Sequence, residues 1–330
     1  MNLQERINLM VWLGEYLVSD EPEWLLIKSR ASEENGWFIP AFIDNACREI
    51  AENYLQKNIL DNWFAHYKLD DNIVPKTVGI VMAGNIPLVG FHDFLCVFIS
   101  GHKQLIKLST KDKPLLTHIV EMLYKKNPAT LESFSISELL KNCDAYIATG
   151  SNNSARYFRQ YFSKYPNIIR KNKTSAAILT GNENTEDLEK LSDDIHLYFG
   201  LGCRNVTKLY VPEQYDFIPL LRSFDSYLYF ADHHKYKNNY DYQLSILLLN
   251  NKYYMTNGST LLTENNEMFS PITHVHYETY KSYDDILNSL QQHEDLQCVV
   301  SKKTGFGIAQ EPGIFSYADG IDTMQFLLSI

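Results

Sequence analysis

Residues 78–109 read VGIVMAGNIPLVGFHDFLCVFISGHKQLIKLS. This stretch joins a short apolar strand, a turn that contains Asn85 and Pro87, a helix near Leu88 to Ser100, a turn at Gly101 and a second strand. Short apolar strands that alternate with helices are typical of a parallel sheet that helices cover on both faces. The stretch therefore predicts an α/β fold.

The same alternation continues on the downstream side of this stretch. Strand and helix patterns follow one another as far as Phe199, and a second α/β series begins after Cys203. Upstream, the first 70 residues have apolar positions three and four apart, which predicts helices. We therefore expect two domains, residues 1–181 and residues 182–330.

The composition excludes several classes of protein. Thirty Lys and Arg against 40 Asp and Glu give a formal charge of −10, which disfavours binding to nucleic acid. Apolar runs such as Phe91 to Ser100 are shorter than the roughly 20 residues that span a bilayer. The N-terminus lacks the pattern of a secretory signal, so we expect a cytoplasmic protein without a membrane span. The five cysteines lie far apart without CxxC pairs, which predicts reduced thiols and no metal site.

One cysteine lies in a sequence context that favours chemistry. In FGLGCRN, Cys203 stands between a predicted helix and a predicted strand, with Gly200 and Gly202 beside it. Glycines let the backbone approach a substrate, and backbone N–H groups in such a turn lower the pKa of a thiol. A buried structural cysteine is the alternative.

Four further motifs support a catalytic role for Cys203. The 78–109 stretch contains an Asn-x-Pro turn and a Lys-x-Ser strand end, IATGSNNSAR contains a Thr-Gly-Ser turn, AAILTGNEN precedes the helix before the cysteine, and NEMFSPITHV contains Glu-x-Phe-x-Pro. Their order around Cys203 resembles that of the aldehyde dehydrogenase superfamily. The segments GLGCRNVTKLYVP and YADGIDTMQFLL are most similar to the acyl-CoA reductases of the LuxC type.

The resemblance implies an aldehyde-dehydrogenase-like fold. A Rossmann-type cofactor domain with N-terminal helices would occupy residues 1–181, and a catalytic domain with a C-terminal tail would occupy residues 182–330. The resemblance also assigns roles to individual residues. They are Cys203 as nucleophile, Asn85 as oxyanion-hole amide, Lys107 with Ser109 and Thr110 at the adenosine ribose, Gly150 and Ser151 beneath the pyrophosphate, Glu267 at the nicotinamide ribose, and Phe269 beside it.

Two departures from the superfamily bear on the reaction. Where hydrolytic members have a glutamate that activates water, we place Leu179, which cannot act as a general base. An acyl thioester would therefore persist long enough to be reduced. Thr110 stands where a carboxylate often selects NAD, and Lys111 is adjacent, so we expect NADPH to be preferred while NADH remains an alternative.

These observations predict an NADPH-dependent reductase that converts a fatty acyl-CoA to an aldehyde through Cys203. A cysteine acyltransferase or thioesterase that acts on acyl-CoA is the main alternative. A degenerate, non-catalytic scaffold is a third, because the chain is shorter than typical members of the superfamily. In isolation Asn85 could cap a turn, Lys107 could end a solvated strand and Glu267 could be a surface carboxylate. Whether the protein forms a homo-oligomer is left open.

Overall fold

The computed structural model describes residues 1–291 and 293–330. The chain forms two compact units. The first contains Met1–Asn172 and Pro312–Ile330, and the second contains Lys173–Glu311. The sequence placed the division after residue 181 and the C-terminal tail with the second domain, whereas in the structure the tail joins the first unit.

The first unit begins with four helices, α1 Leu3–Leu17, α2 Pro22–Glu34, α3 Pro40–Asn53 and α4 Lys57–Tyr67. Asn2 caps α1, because its side chain accepts the Glu5 N–H while the Glu5 carboxylate accepts the Asn2 N–H. Proline opens α2 and α3, where the fixed φ suits a first helical residue and no donor is lost. The helices expected in the first 70 residues are therefore present.

A five-stranded parallel sheet forms the centre of the first unit. It consists of β1 Thr77–Val81, β2 Lys103–Lys107, β3 Phe134–Ile136, β4 Ala145–Thr149 and β5 Asn167–Arg170, in the order β3-β2-β1-β4-β5. Its connections include α5 Phe91–Ser100, α6 Lys113–Lys126 and α7 Asn152–Phe162, with a 3-10 turn at Pro128–Glu132. The middle of β1 is buried, and so is every residue of α5 except His92 and Asp93, as expected of elements in the interior of an α/β unit.

The second unit contains a six-stranded sheet in the order β11-β6-β7-β10-β9-β8. Its strands are β6 Thr174–Ile178, β7 Val206–Pro212, β8 Met255–Thr256, β9 Leu261–Glu264, β10 His274–Tyr280 and β11 Leu296–Ser301. Only the short β8 runs antiparallel to its neighbour, among the described residues. The helices are α8 Thr185–His196, α9 Phe217–Ser223, α10 His234–Leu249 and α11 Tyr283–Leu290, with 3-10 turns at Leu197–Gly200 and Phe224–Asp232.

The C-terminal segment returns to the first unit. After a 3-10 turn at Ala318–Gly320, it ends in α12 Thr323–Leu328, which packs on α5. The buried Arg170 guanidinium fixes this contact, since it donates to the Asp93 carboxylate of α5 at 2.5 Å and to the Thr323 hydroxyl at 2.8 Å. A helix that is long and apolar enough to span a membrane does not occur in the described part of the chain.

Candidate active site

The strand order of the first unit reverses at the centre of its sheet. From β1 the chain continues to β2 and β3 on one side, and it then crosses to β4 and β5 on the other. Such a reversal of strand order separates the loops that follow the two central strands, and ligands of open α/β sheets bind there. Asn85 follows β1, and Gly150 and Ser151 follow β4. Both predicted groups therefore lie at this switch point.

The turn after β4 is shaped for close approach to a helix end. A Cβ on Gly150 would lie 2.9 Å from the Ser154 Cβ, so only glycine fits there without a shift. Ser151 is the exposed N-cap of α7, and its hydroxyl accepts the Ser154 N–H at 3.2 Å. The other N–H groups of the first helical turn and the helix dipole favour an anion at this end.

The predicted ribose contacts lie at the end of β2 and in the loop that follows it. Lys107 is the last residue of β2 and is partly exposed, and Thr110 is exposed. Ser109 packs against the turn after β1, since a Cβ on Gly84 would lie 2.5 Å from the Ser109 Cβ. The structure therefore brings Lys107 and Thr110 to the same sheet edge as the switch point, while Ser109 contacts the turn that contains Asn85.

In the second unit, Cys203 follows a backbone segment of unusual conformation. Tyr198, Phe199 and Gly200 all have left-handed φ angles, of 57°, 56° and 72°. Left-handed geometry suits glycine but costs on the order of 1–3 kcal/mol for each of the two aromatic residues. The surrounding packing offsets this cost because both aromatic side chains are buried. The end of α8 is therefore bent sharply just before Cys203.

The fully buried Asn205 locks the turn around the cysteine. Its Oδ1 accepts the Gly202 N–H at 2.7 Å, and its Nδ2 donates to the Leu197 carbonyl at 2.8 Å. The same Nδ2 lies 3.2 Å from two more carbonyl oxygens in the last turn of α8. One side chain thus joins the helix end to the backbone on both sides of Cys203. Asn205 is the last residue of the FGLGCRN segment, but no motif in the sequence predicted a role for it.

Cys203 itself is one of the two thiols that are not fully buried among the described residues. Its carbonyl oxygen accepts from the Ser175 hydroxyl at 3.2 Å, and the same hydroxyl lies 3.0 Å from the Cys298 Sγ. Burial raises the pKa of the Cys298 thiol, and it raises the pKa of Cys47 to about 12. Burial likewise raises the pKa values of Cys96 and Cys143. The other four thiols are thereby disfavoured as nucleophiles.

The predicted Glu267 and Phe269 lie in the segment between β9 and β10. The Glu267 carbonyl lies 3.0 Å from Nδ1 of His276, and the Thr207 hydroxyl donates to the Met268 carbonyl at 2.9 Å. Thr207 stands at the beginning of β7, directly after the turn that contains the cysteine. The side chains of Glu267 and Phe269 are exposed.

The placement of Leu179 beside an acyl thioester is wrong. Ser175, near the beginning of β6, contacts the Cys203 carbonyl, whereas Leu179 follows the last residue of the same strand. Leu179 is four strand residues beyond Ser175, so the two residues lie about 13 Å apart along the strand. The Leu179 side chain is also completely buried in the apolar core of the second unit. A sequence motif identifies a strand end, but it does not say which edge of the sheet that end occupies.

Comparison with known proteins gives a family and a fold. The profile of the family described as Acyl-CoA reductase (LuxC) matches residues 43–218, which is more than half of the chain. Among curated proteins, none matches this sequence.

Several solved structures, aldehyde dehydrogenases among them, resemble this chain over most of its length. Aldehyde dehydrogenase 21 from Physcomitrella patens, in complex with the reaction product succinate, superposes with a TM-score of 0.72 at 12% identity, covering 100% of this chain and 84% of that chain. The P. syringae indole-3-acetaldehyde dehydrogenase AldA, a mutant in complex with NAD+ and IAA, gives 0.66 at 11% identity, with 92% and 72% covered. An E. coli NADP dependent enzyme gives 0.68 at 10% identity, with 91% and 78% covered. The expected aldehyde-dehydrogenase-like α/β fold is therefore confirmed.

Proposed function

This chain belongs to the acyl-CoA reductase (LuxC) family, and from that premise we propose that it reduces a fatty acyl-CoA to an aldehyde with NADPH through a thioester on Cys203. One observation carries the proposal. Cys203 is partly exposed, and it lies in a turn that the hydrogen bonds of Asn205 brace against the end of α8. Such preorganisation is what a covalent nucleophile requires.

The first unit has features that fit a nicotinamide nucleotide. The AldA structure contains NAD+, and that likeness supports the same class of cofactor here. We assign the pyrophosphate to the turn of Gly150 and Ser151, where a helix N-terminus and a glycine without room for a side chain favour an anion. We assign the adenosine ribose to Lys107 and to the loop that follows it.

The preference for NADPH is assigned to the same loop. Thr110 is exposed and carries no charge, so it does not repel a 2′-phosphate, and the exposed Lys111 attracts one. Ser109 is assigned to the loop conformation rather than to the nucleotide, because its side chain packs on Gly84.

The first chemical step uses the thiolate of Cys203. Its sulfur attacks the thioester carbonyl of the acyl-CoA, and the electron pair of the carbonyl moves to oxygen. The Asn85 amide and the Cys203 N–H are assigned as donors to this oxyanion. When the oxyanion collapses, the bond to the CoA sulfur breaks, and CoA leaves as a thiolate that takes up a proton.

The second step reduces the acyl group on the protein. Glu267 and Phe269 are assigned to the ribose and the ring of a reduced nicotinamide, which, when bound there, would supply a hydride to the acyl carbon and be oxidised. The resulting thiohemiacetal anion expels the Cys203 thiolate and releases an aldehyde. No residue other than Cys203 changes its covalent bonds, so the protein returns to its starting state.

A coupled assay tests this proposal. We expect the purified protein to oxidise NADPH only when an acyl-CoA such as octanoyl-CoA is present, with one aldehyde and one CoA released per NADPH. Cys203→Ala should abolish the reaction, and Cys298→Ala, which removes the neighbouring thiol, should retain it. Release of CoA and free acid without consumption of NADPH would instead support the acyltransferase or thioesterase alternative. A chain that binds neither NADPH nor acyl-CoA would support the non-catalytic alternative.

A further inference from the structure

The turn that contains Asn85 is held at both of its ends by a single loop. At its beginning, Gly84 packs so tightly on Ser109 that a Cβ would lie 2.5 Å from the Ser109 Cβ. At its end, the Leu88 N–H donates to Oδ2 of Asp112 at 2.7 Å. Ser109 and Asp112 both belong to the loop after β2. The three residues from Asn85 to Pro87 therefore lie between two anchors, the contact to Ser109 and the hydrogen bond to Asp112.

The second anchor holds the backbone in a strained state. Leu88 has a φ of 54°, in the left-handed region that a leucine rarely adopts. That conformation costs on the order of 1–3 kcal/mol and persists only where the surroundings impose it. The hydrogen bond that Asp112 accepts fixes the Leu88 N–H in this orientation, and burial of the Leu88 side chain adds to the restraint.

The burial of the Asp112 carboxyl is unfavourable for the stability of the fold, so stability alone does not explain its position. The residue is 7% exposed, and no partner for its Oδ1 is present within the described residues. The carboxyl lines a cavity of about 10 Å³ with apolar neighbours, including Met82 and Leu116. Burial raises the pKa of Asp112 to about 8, so its charged form is disfavoured. A buried polar group with an unsatisfied atom calls for a functional explanation.

We propose that Asp112 is a positioning residue that aligns the Asn85 amide for the oxyanion. The inference rests on the proposed function, because it requires Asn85 to stabilise the oxyanion of acyl transfer to Cys203. In this account Asp112 contacts neither substrate nor cofactor. It acts by fixing the Leu88 N–H, which determines the path of the turn and with it the direction of the amide.

The loop of Asp112 also contains the residues assigned to the nucleotide. Thr110 and Lys111 lie between the two anchors, Ser109 and Asp112. This one loop would therefore act on both substrates of the reaction. Its exposed residues would bind the nucleotide, and its contacts with the turn of Asn85 would align the amide that stabilises the acyl oxyanion. This contact was not predictable from local sequence patterns, because Asp112 and Leu88 are 24 positions apart.

The test measures the rate at which Cys203 becomes acylated by octanoyl-CoA without nicotinamide, by intact-protein mass. Misplacement of a reacting group by about 1 Å costs on the order of 10²-fold, so we expect Asp112→Ala to slow acylation by about 10- to 100-fold. The apparent KM for octanoyl-CoA should change little. Asp112→Asn retains an oxygen that accepts the Leu88 N–H, and it should remain close to the wild type.

A matched control removes the same kind of bond from the opposite end of β1. Oδ2 of Asp144 accepts the N–H of Thr77, the first residue of that strand, at 2.8 Å. Asp144→Ala should leave the acylation rate unchanged. If Asp112→Ala does not fold, Asp112→Thr is measured instead. The threonine side chain is polar, but its hydroxyl is one bond closer to the backbone than the aspartate Oδ2 and does not reach the Leu88 N–H.

A double-mutant cycle decides between positioning and a general structural effect. If Asp112 acts through Asn85, then Asp112→Ala should cause no further loss in a protein that already contains Asn85→Ala. Multiplicative losses, or equal rates for Asp112→Ala and Asp144→Ala, would overturn the inference. A wild-type protein that forms no acyl adduct would overturn the proposed function itself, so the two failures are distinguishable.

Discussion

Replacement of Asn205 by alanine should uncouple the end of α8 from the turn that contains Cys203. The change removes the acceptor of the Gly202 N–H and the donor to the Leu197 carbonyl. Each partly buried group left without a partner costs about 1–3 kcal/mol, so we expect the free energy of unfolding to fall by about 2–4 kcal/mol. The strained conformations of Tyr198 and Phe199 would also lose their restraint.

The same substitution should slow the chemistry in the molecules that remain folded. A nucleophile displaced by about 1 Å loses on the order of 10²-fold in rate, so we expect acylation of Cys203 to fall by 10-fold or more. Urea denaturation measures the stability, and the intact mass after addition of octanoyl-CoA measures the acylation.

A control at the other end of the same helix separates the two effects. Asn184 caps the beginning of α8, where its side chain accepts the Asp187 N–H at 2.8 Å. Asn184→Ala should lower the free energy of unfolding by about 1 kcal/mol and leave acylation unchanged. If Asn205→Ala loses stability but acylates at the wild-type rate, the turn does not align the thiol and the reasoning fails.

Three further substitutions test separate parts of the account. Thr110→Glu should reduce the affinity for NADPH relative to NADH by about tenfold, because the carboxylate repels the 2′-phosphate, and fluorescence titration with both nucleotides measures the ratio. Burial raises the pKa of Asp112 to about 8, so the folded state retains a proton that the unfolded state releases above about pH 4. The stability of the wild type relative to Asp112→Asn should therefore fall as the pH rises toward 8, by up to about 1.4 kcal/mol per pH unit in urea denaturation. Leu179→Glu should destabilise the protein by several kcal/mol (about 3–5) without faster hydrolysis of an acyl adduct, since the carboxylate enters an apolar core; a stable variant with rapid hydrolysis would contradict this placement.

The sequence predicted the fold more completely than the site. Apolar strands that alternate with helices are local patterns, so β1, α5 and β2 were recognisable from residues 78–109 alone. The polar helix α10 was missed because tyrosines and charged residues obscure its periodicity in the His234–Leu249 segment. The return of Pro312–Ile330 to the first unit was missed because it depends on Arg170, which is far away in sequence.

Within the site, the sequence identified residue types that carry chemistry but not the residues that hold them. Cys203 stood out because glycines flank it. Asn205 and Asp112 act through hydrogen bonds to backbone groups. Nearly every residue has the same backbone groups, so the sequence does not show which of them such a side chain will contact. Leu179 was misplaced because strand pairing, which decides the edge of the sheet, is set by contacts between distant residues.

The central claim is that Cys203 accepts an acyl group and holds it until it is reduced. Intact-protein mass spectrometry with peptide mapping tests this most directly. With octanoyl-CoA alone, the account predicts one octanoyl group on Cys203, stable until NADPH is added and then lost as octanal. An unmodified protein, an adduct on another cysteine, or an adduct that hydrolyses to octanoic acid at the same rate with and without NADPH would contradict it.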